Sequence, residues 1–245
     1  MGNGDTALFD VPTGALSPRS KTSQREDDLP YAEPIQDQQK DIAADMLTCF
    51  GEKATRCLFS YAWAPRVEAL SFVQYLIQTR HLTFEKQRES TTVTQRVLVN
   101  AIQTTLMQAL QDRVNSVFEA GVSLLMEVSI AFDGAVASPS DVTVVHDLIR
   151  PLIPRLLVKL GDSKSRLHVT TEDALLLLSR QSACIGPAFL LEEMIACDRN
   201  SSPQTLSATY LTNKMALMSK LMLEFGIQEN STGEKGSPQR SYAVP

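Results

Sequence analysis

The feature that most constrains this chain is a helical period that returns in segment after segment. From Pro65 onward Ala69, Phe72, Val73, Leu76 and Ile77 fall at i, i+3, i+4, i+7 and i+8, the stripe that an amphipathic helix buries. Val117, Ala120, Gly121, Leu124, Val128, Ala131 and Phe132 repeat it, as do Leu167, Thr171, Ala174, Leu175 and Leu178. Leu211, Met215, Met218, Met222 and Phe225 continue it at i, i+4, i+7, i+11 and i+14, and are expected to face the core. Two β-branched stretches, Thr91 to Val99 and Val142 to Val145, lie inside longer helical patterns and are read as helix. A chain written this way folds as an all-α protein.

Punctuation divides the pattern. Gly51, Gly161 and Gly226 follow apolar runs, where a left-handed residue without a Cβ closes a helix. Pro65, Pro139, Pro187 and Pro203 stand where a first turn tolerates a missing N–H. The segments predicted are 35–50, 52–61, 64–81, 90–111, 114–132, 140–160, 164–180, 187–196 and 204–225. Connections this short make neighbouring helices antiparallel.

Composition changes along the 245 residues. Residues 1–34 hold four prolines, three glycines, six acids and three bases without a helical period, and read as a disordered arm. Residues 228–245 read as a second disordered tail, or as the start of a truncated repeat. The intervening 35–227 is the domain, and it is nearly neutral although the whole chain carries a formal charge of -5. An acidic balance argues against a nucleic-acid coat, which needs Lys and Arg spread along one face.

Aligned with one another, the middle segments show a recurrent unit: a helix, a tight polar turn, and a second helix with a small residue on its buried stripe. Its three clearest copies place Ala69, Ala120 and Ala174 at spacings of 51 and 54 residues, somewhat longer than a HEAT or armadillo unit of roughly 40–47. In the third copy Leu152-Ile153-Pro154 opens the unit, Leu156, Leu157 and Leu160 line the first helix, Gly161-Asp162 turns the chain, and Leu167, Ala174 and Leu175 supply the second helix. That copy resembles the HEAT consensus, departing from it at His168 and Thr171. The expected architecture is a HEAT/armadillo-like α-solenoid of paired antiparallel helices with about four repeats; a generic helical bundle is the other arrangement such a pattern allows.

The first copy carries a sharper resemblance. Trp63-Ala64-Pro65-Arg66-Val67-Glu68-Ala69-Leu70, a tryptophan in the first turn followed by W-x-x-R-x-E-A-L, is similar to the opening repeat of TOG domains, the HEAT-repeat modules that bind tubulin heterodimers. The segments CFGEKATRCLFS and LMLEFGIQENSTG also look like the single TOG domain found in a centrosomal and ciliary-tip protein. The likeness spans about residues 36–245, and counts fewer repeats than the six usual in the family. It implies the αβ-tubulin heterodimer as partner and a cytoskeletal role at the centrosome or cilium. The other reading is a generic α-solenoid scaffold or adaptor that holds a helical peptide against its second helices.

In such a solenoid the turns within successive repeats emerge along one edge. The expected tubulin-binding residues are Trp63 and Arg66 in the first turn, Arg113 in Gln111–Asn115, Lys164 and Arg166 in Asp162–Arg166, and Arg199 in Asp198–Ser201. A ladder of cations suits an acidic partner surface, and one aromatic supplies desolvated contact area. Arg66 has an alternative role, pinning its own repeat through a buried hydrogen bond, and Trp63 an alternative one as a core plug.

Other functional classes find little support. The chain has no glycine-rich phosphate loop, no GxSxG and no HExxH, and His81, His146 and His168 stand far apart, so neither catalysis, a cofactor nor a metal is expected. Cys49, Cys57, Cys184 and Cys197 lack paired spacing and fit a reduced, cytoplasmic setting. The longest apolar run, 174–178, is far short of the roughly 20 residues of a membrane span. Met1-Gly2-Asn3-Gly4-Asp5-Thr6 matches the myristoylation pattern at Gly2, but no polybasic partner signal accompanies it and no membrane association is expected.

Overall fold

The computed structural model describes residues 26–79, 82, 94–136, 138–200 and 207–226, the side chains of 198–200 excepted. Ten α-helices and two short 3-10 turns, with no strand, make up the secondary structure of the described residues. In chain order the helices are α1 (Lys40–Phe50), α2 (Glu52–Leu58), α3 (Trp63–Gln78), α4 (Gln95–Leu110), α5 (Asn115–Ala135), α6 (Pro139–Ile149), α7 (Ile153–Leu160), α8 (Ser165–Arg180), α9 (Gly186–Asn200) and α10 (Ala208–Phe225). The β-branched residues 142–145 are helical, as are 95–99. The 1–25 arm with Gly2, the helix start at Pro203 and the tail beyond 227 lie outside the described residues.

These helices form two layers. Helix α3 packs on α5, α5 on α8 and α8 on α10, while α1 packs on α4, α4 on α6 and α7, and α7 on α9. Cross-helix bonds give the direction of the first series. Arg66 and then Gln74 of α3 reach Asp112 and then Ser123 at the start and middle of α5, and Glu172 and Arg180 of α8 meet Lys220 and Glu224 of α10. Both partners advance together, so second helices run parallel and begin at one edge. The result is an α-solenoid with one continuous apolar core from Leu29 to Leu221.

Four departures from the sequence reading have physical causes. The predicted 140–160 helix breaks at Arg150–Leu152: Pro151 has no N–H to give to the preceding turn, and Pro154 enters only as the second residue of α7, where none is needed. Gly161 ends α7 at φ -89, not in the left-handed region, whereas Gly51 and Gly226 do adopt it at φ 85 and 79. What Gly161 requires is space, since a Cβ there would lie 3.1 Å from Cβ of Tyr210. Ala69 and Ala174 are fully buried as expected, but in the second repeat the close approach is at Gly121, whose added Cβ would sit 2.6 Å from Cβ of Ala109 on α4; Ala120 is only partly buried.

The fourth departure is at the amino-terminal side, where packed chain begins at residue 26 and not at 35. Residues 26–36 run as a strap along α2. Glu26 Oε1 accepts the N–H of Lys53 at 2.9 Å and so caps a helix whose own N-cap, Gly51, has no side chain. Leu29 and Ala32 are buried, the Cys57 thiol donates to the carbonyl of Pro30, and Arg56 donates to the carbonyls of Ala32 and Glu33. Ser60 Oγ donates to Glu33, and Gln36 Nε2 to the Tyr61 hydroxyl. The acidic, proline-bearing composition of this stretch conceals its two buried apolar anchors.

Candidate functional site

Because α3, α5 and α8 start at one edge, the turns that precede them line up there. In the first, the α2–α3 turn, Trp63 opens α3 with half of its surface (51%) exposed, so the core-plug role does not hold. Its backbone is held from behind. Ser60 is buried and takes the N–H of Ala62 on its hydroxyl, and Arg66 Nη1 donates to the carbonyls of Ser60, Tyr61 and Ala62 at 2.7, 3.0 and 3.4 Å.

Arg66 is therefore corrected as a surface contact. Its side chain is 17% exposed, Nε lies 2.9 Å from Oδ2 of Asp112 as a close ion pair, and Nη2 donates to Oδ1 at 3.2 Å. Asp112 Oδ1 in turn accepts the N–H of Val114, the N-cap residue of α5. One guanidinium thus joins three carbonyls of the first turn to the aspartate of the second. A planar five-donor fork can do this and an ammonium cannot. The alternative role considered for Arg66 is the one this geometry supports.

The remaining expected residues divide. Arg113 is exposed in the α4–α5 turn, and its side chain has no partner among the described residues. Lys164 is exposed as the N-cap residue of α8, where Asp162 Oδ1 accepts its backbone N–H at 3.0 Å and leaves the ammonium unbonded among the described residues. Arg166 keeps 79% of its side chain exposed while pairing with Glu119 at 2.6 Å on the first turns of α5. Arg199 lies in the last turn of α9 and not in a loop, and its side chain is outside the described residues. The edge thus brings Trp63, Arg113, Lys164 and Arg166 together on three consecutive turns.

Two aromatics that sequence reasoning left unassigned stand at the same end. Tyr61, 75% exposed, adjoins Trp63 in the chain, and Tyr31 of the strap is 82% exposed with the Arg56 guanidinium 5.4 Å from its ring centroid. Tyr61 carried a signal, since it precedes Trp63 in a turn where bulky apolar surface has no core to enter. Nothing in the local sequence of Tyr31 revealed that its strap returns to α2.

The opposite, second-helix surface is stitched to itself. Gln74 accepts from Ser123, Arg166 from α8 pairs with Glu119 of α5, Lys220 with Glu172, and Arg180 with Glu224 at 2.6 Å. No group of three or more His, Cys, Asp or Glu side chains gathers as for a metal, and no helix is long and apolar enough to cross a membrane, among the described residues.

Comparison with known proteins agrees with this architecture. The family model described as "Centrosomal protein CEP104, TOG domain" matches residues 40–233. The solved structure of the TOG domain of human Cep104 is similar at 19% identity and a TM-score of 0.63, over 81% of this chain and 72% of that one. A second CEP104 TOG domain structure is similar at 21% identity and a TM-score of 0.60, over 80% and 72%. At such identities the structural likeness bears on the fold, and no curated protein matches the chain. With most of its length matched by the family model, the chain belongs to the CEP104 TOG-domain family.

Proposed function

We propose that this chain binds the αβ-tubulin heterodimer through the edge formed by the turns before α3, α5 and α8, and that it serves as a microtubule regulator at the centrosome or ciliary tip. The observation that carries the reading is the juxtaposition on three successive turns of an exposed tryptophan and exposed cations. Trp63, Arg113 and Lys164 make no side-chain bond to the described chain. Rigid scaffold behind and unspent side chains in front is the pattern of a contact surface. The parallel starts of three helices add their positive dipole ends to the same edge, which favours an acidic partner.

Arg113, Lys164 and Arg166 supply orientation and fast encounter, and Trp63, with Tyr61 beside it, supplies the desolvated anchor. Arg66 works one step back, holding the first two turns at a fixed separation. The peptide-scaffold reading needs polar groups available along the second helices, and those side chains are largely bonded to one another. Nothing in the edge arrangement offers a nucleophile beside a base, so the reading is of a binding module and not of an enzyme.

Size-exclusion chromatography of the chain with tubulin tests it. The parent is expected to co-elute, and Trp63→Ala with Lys164→Ala to weaken binding at least tenfold with the helical circular dichroism intact. Co-elution of that variant equal to the parent's would remove the assignment of the edge. A parent that never meets tubulin would leave the fold standing and the function wrong.

A further inference from the structure

Helix α10 closes the second-helix layer, and its packing is offset from what its period suggests. The residues it buries are Tyr210, Lys214, Leu217 and Leu221. The neighbouring stripe, Leu211, Met215, Met222 and Phe225, is 42%, 69%, 42% and 38% exposed, with Met218 partly buried between them. These five alternate by four and three residues, which is a strict a/d seam of period 3.5 over 15 residues. A seam this narrow is shaped for one more helix lying nearly along α10.

Its position says where that helix goes. Lys220 and Glu224, which reach Glu172 and Arg180 on α8, lie roughly 160° around α10 from the seam at 100° per residue. The seam is thus on the flank turned away from α8, where the layer of second helices would gain its next member. The same two ion pairs draw the exposed charges of α10 toward α8, so the seam and its flanking Thr212 and Ser219 present no charge.

We infer that the occupant is a second copy of the chain, docked antiparallel through α10 about a two-fold axis at Met218. The spacing of the stripe about Met218, at -7, -3, +4 and +7, is nearly self-complementary. Antiparallel pairing sets Leu211 against the partner copy's Phe225, and Met215 against its Met222. An uncharged face is required for a two-fold contact, because symmetry otherwise sets like charges near one another. Methionine side chains accommodate the imperfect palindrome. The layer then reads α8, α10, α10, α8, with the tubulin-facing edges of two copies in one particle. The inference stands on the seam and does not depend on the proposed function.

One helix of 18 residues offers a strip about 27 Å long. That is smaller than the standard interface of about 800 Å² per partner, which sets the expected dissociation constant at roughly micromolar to tens of micromolar. Sedimentation equilibrium of the full chain from about 1 to 200 micromolar tests it. The parent is expected to pass from monomer to dimer, and Met215→Glu with Met222→Glu to remain monomeric with unchanged circular dichroism. Leu211→Lys with Phe225→Glu tests the register, because opposite charges then meet across the axis. That variant keeps the dimer, whereas Leu211→Lys with Phe225→Lys weakens it at least tenfold. A parent that stays monomeric throughout, a glutamate variant that dimerises like the parent, or two charge variants that behave alike would each overturn the proposal.

Discussion

Replacing Arg66 by alanine is the perturbation that separates a structural arginine from a contact arginine. In the structure its guanidinium meets Asp112 through Nε at 2.9 Å and Nη2 at 3.2 Å, with side-chain exposures of 17% and 14%, and Nη1 serves three carbonyls. Truncation strands a largely buried carboxylate and frees three acceptors. Removing one partner of a buried pair costs about 3–5 kcal/mol, and the residual exposure puts this pair near 3. For a domain of this size each kcal/mol moves the melting temperature by about 2–4 °C, so a drop of about 6–12 °C is expected. Arg66→Lys should recover little of it, because an ammonium cannot keep the fork on Asp112 and hold the turn carbonyls as well. Asp112→Ala should cost a similar amount and also release the N–H of Val114. Since each single change already breaks the pair, the double variant should be less damaged than the sum, by about 2 kcal/mol in a urea-unfolding cycle. The reasoning is refuted if Arg66→Ala unfolds within 1 kcal/mol of the parent while tubulin affinity falls tenfold, for then the guanidinium acts at the surface.

Gly121→Val should destabilise by more than the 1–3 kcal/mol typical of overpacking, because even a Cβ would sit 2.6 Å from that of Ala109; Gly121→Ala should lose less, its better helix propensity offsetting about 1 kcal/mol, and thermal melting ranks the two. His146 stacks on Phe189 at 3.9 Å, and burial holds its pKa below the ordinary value, against the raising influence of its hydrogen bond to the Cys184 backbone. The unfolded chain then binds the proton first, so stability is full above about pH 6.5 and falls as pH drops through the unfolded value toward the folded one. His146→Gln should flatten that slope between pH 7 and 5, with Arg150, Asp147 and Glu193 left in place around it. Burial raises the Cys184 thiol to about 12 and the Cys49 thiol to about 11. Neither should react with Ellman's reagent at pH 8 before urea unfolds the chain, and prompt reaction of Cys184 would contradict its packing.

How much was legible beforehand varies residue by residue. The helical period and the repeat locate nearly every helix, since burying one stripe per helix leaves its mark in spacing alone. The turn edge was legible too, because Trp63, Arg113 and Lys164 stand in short polar turns that precede second helices. Arg66 sits among them in sequence with the same charge, yet it lies one helical turn after Trp63 and points back under the turn. Only the approach of Asp112 from the next repeat distinguishes it.

What the sequence by itself determined is the all-α class, the repeated unit, most helix ends and the edge on which the turns emerge, because each rests on contacts between residues close along the chain. The tertiary structure decided the rest. On α10 two adjacent apolar stripes compete, and the period of 3.6 cannot say which faces inward; α7, α8 and α9 select Tyr210, Leu217 and Leu221 and leave Leu211, Met215 and Met222 outside. Gly121 replaces Ala120 as the point of closest approach because interaxial distance is a property of two helices together. The strap at 26–36 is ordered by α2, a partner some 25 residues onward, and composition averaged over the arm cannot register a capping carboxylate and two buried side chains. Local chemistry sets where a helix begins and ends, while neighbours in space set which of its sides is the inside.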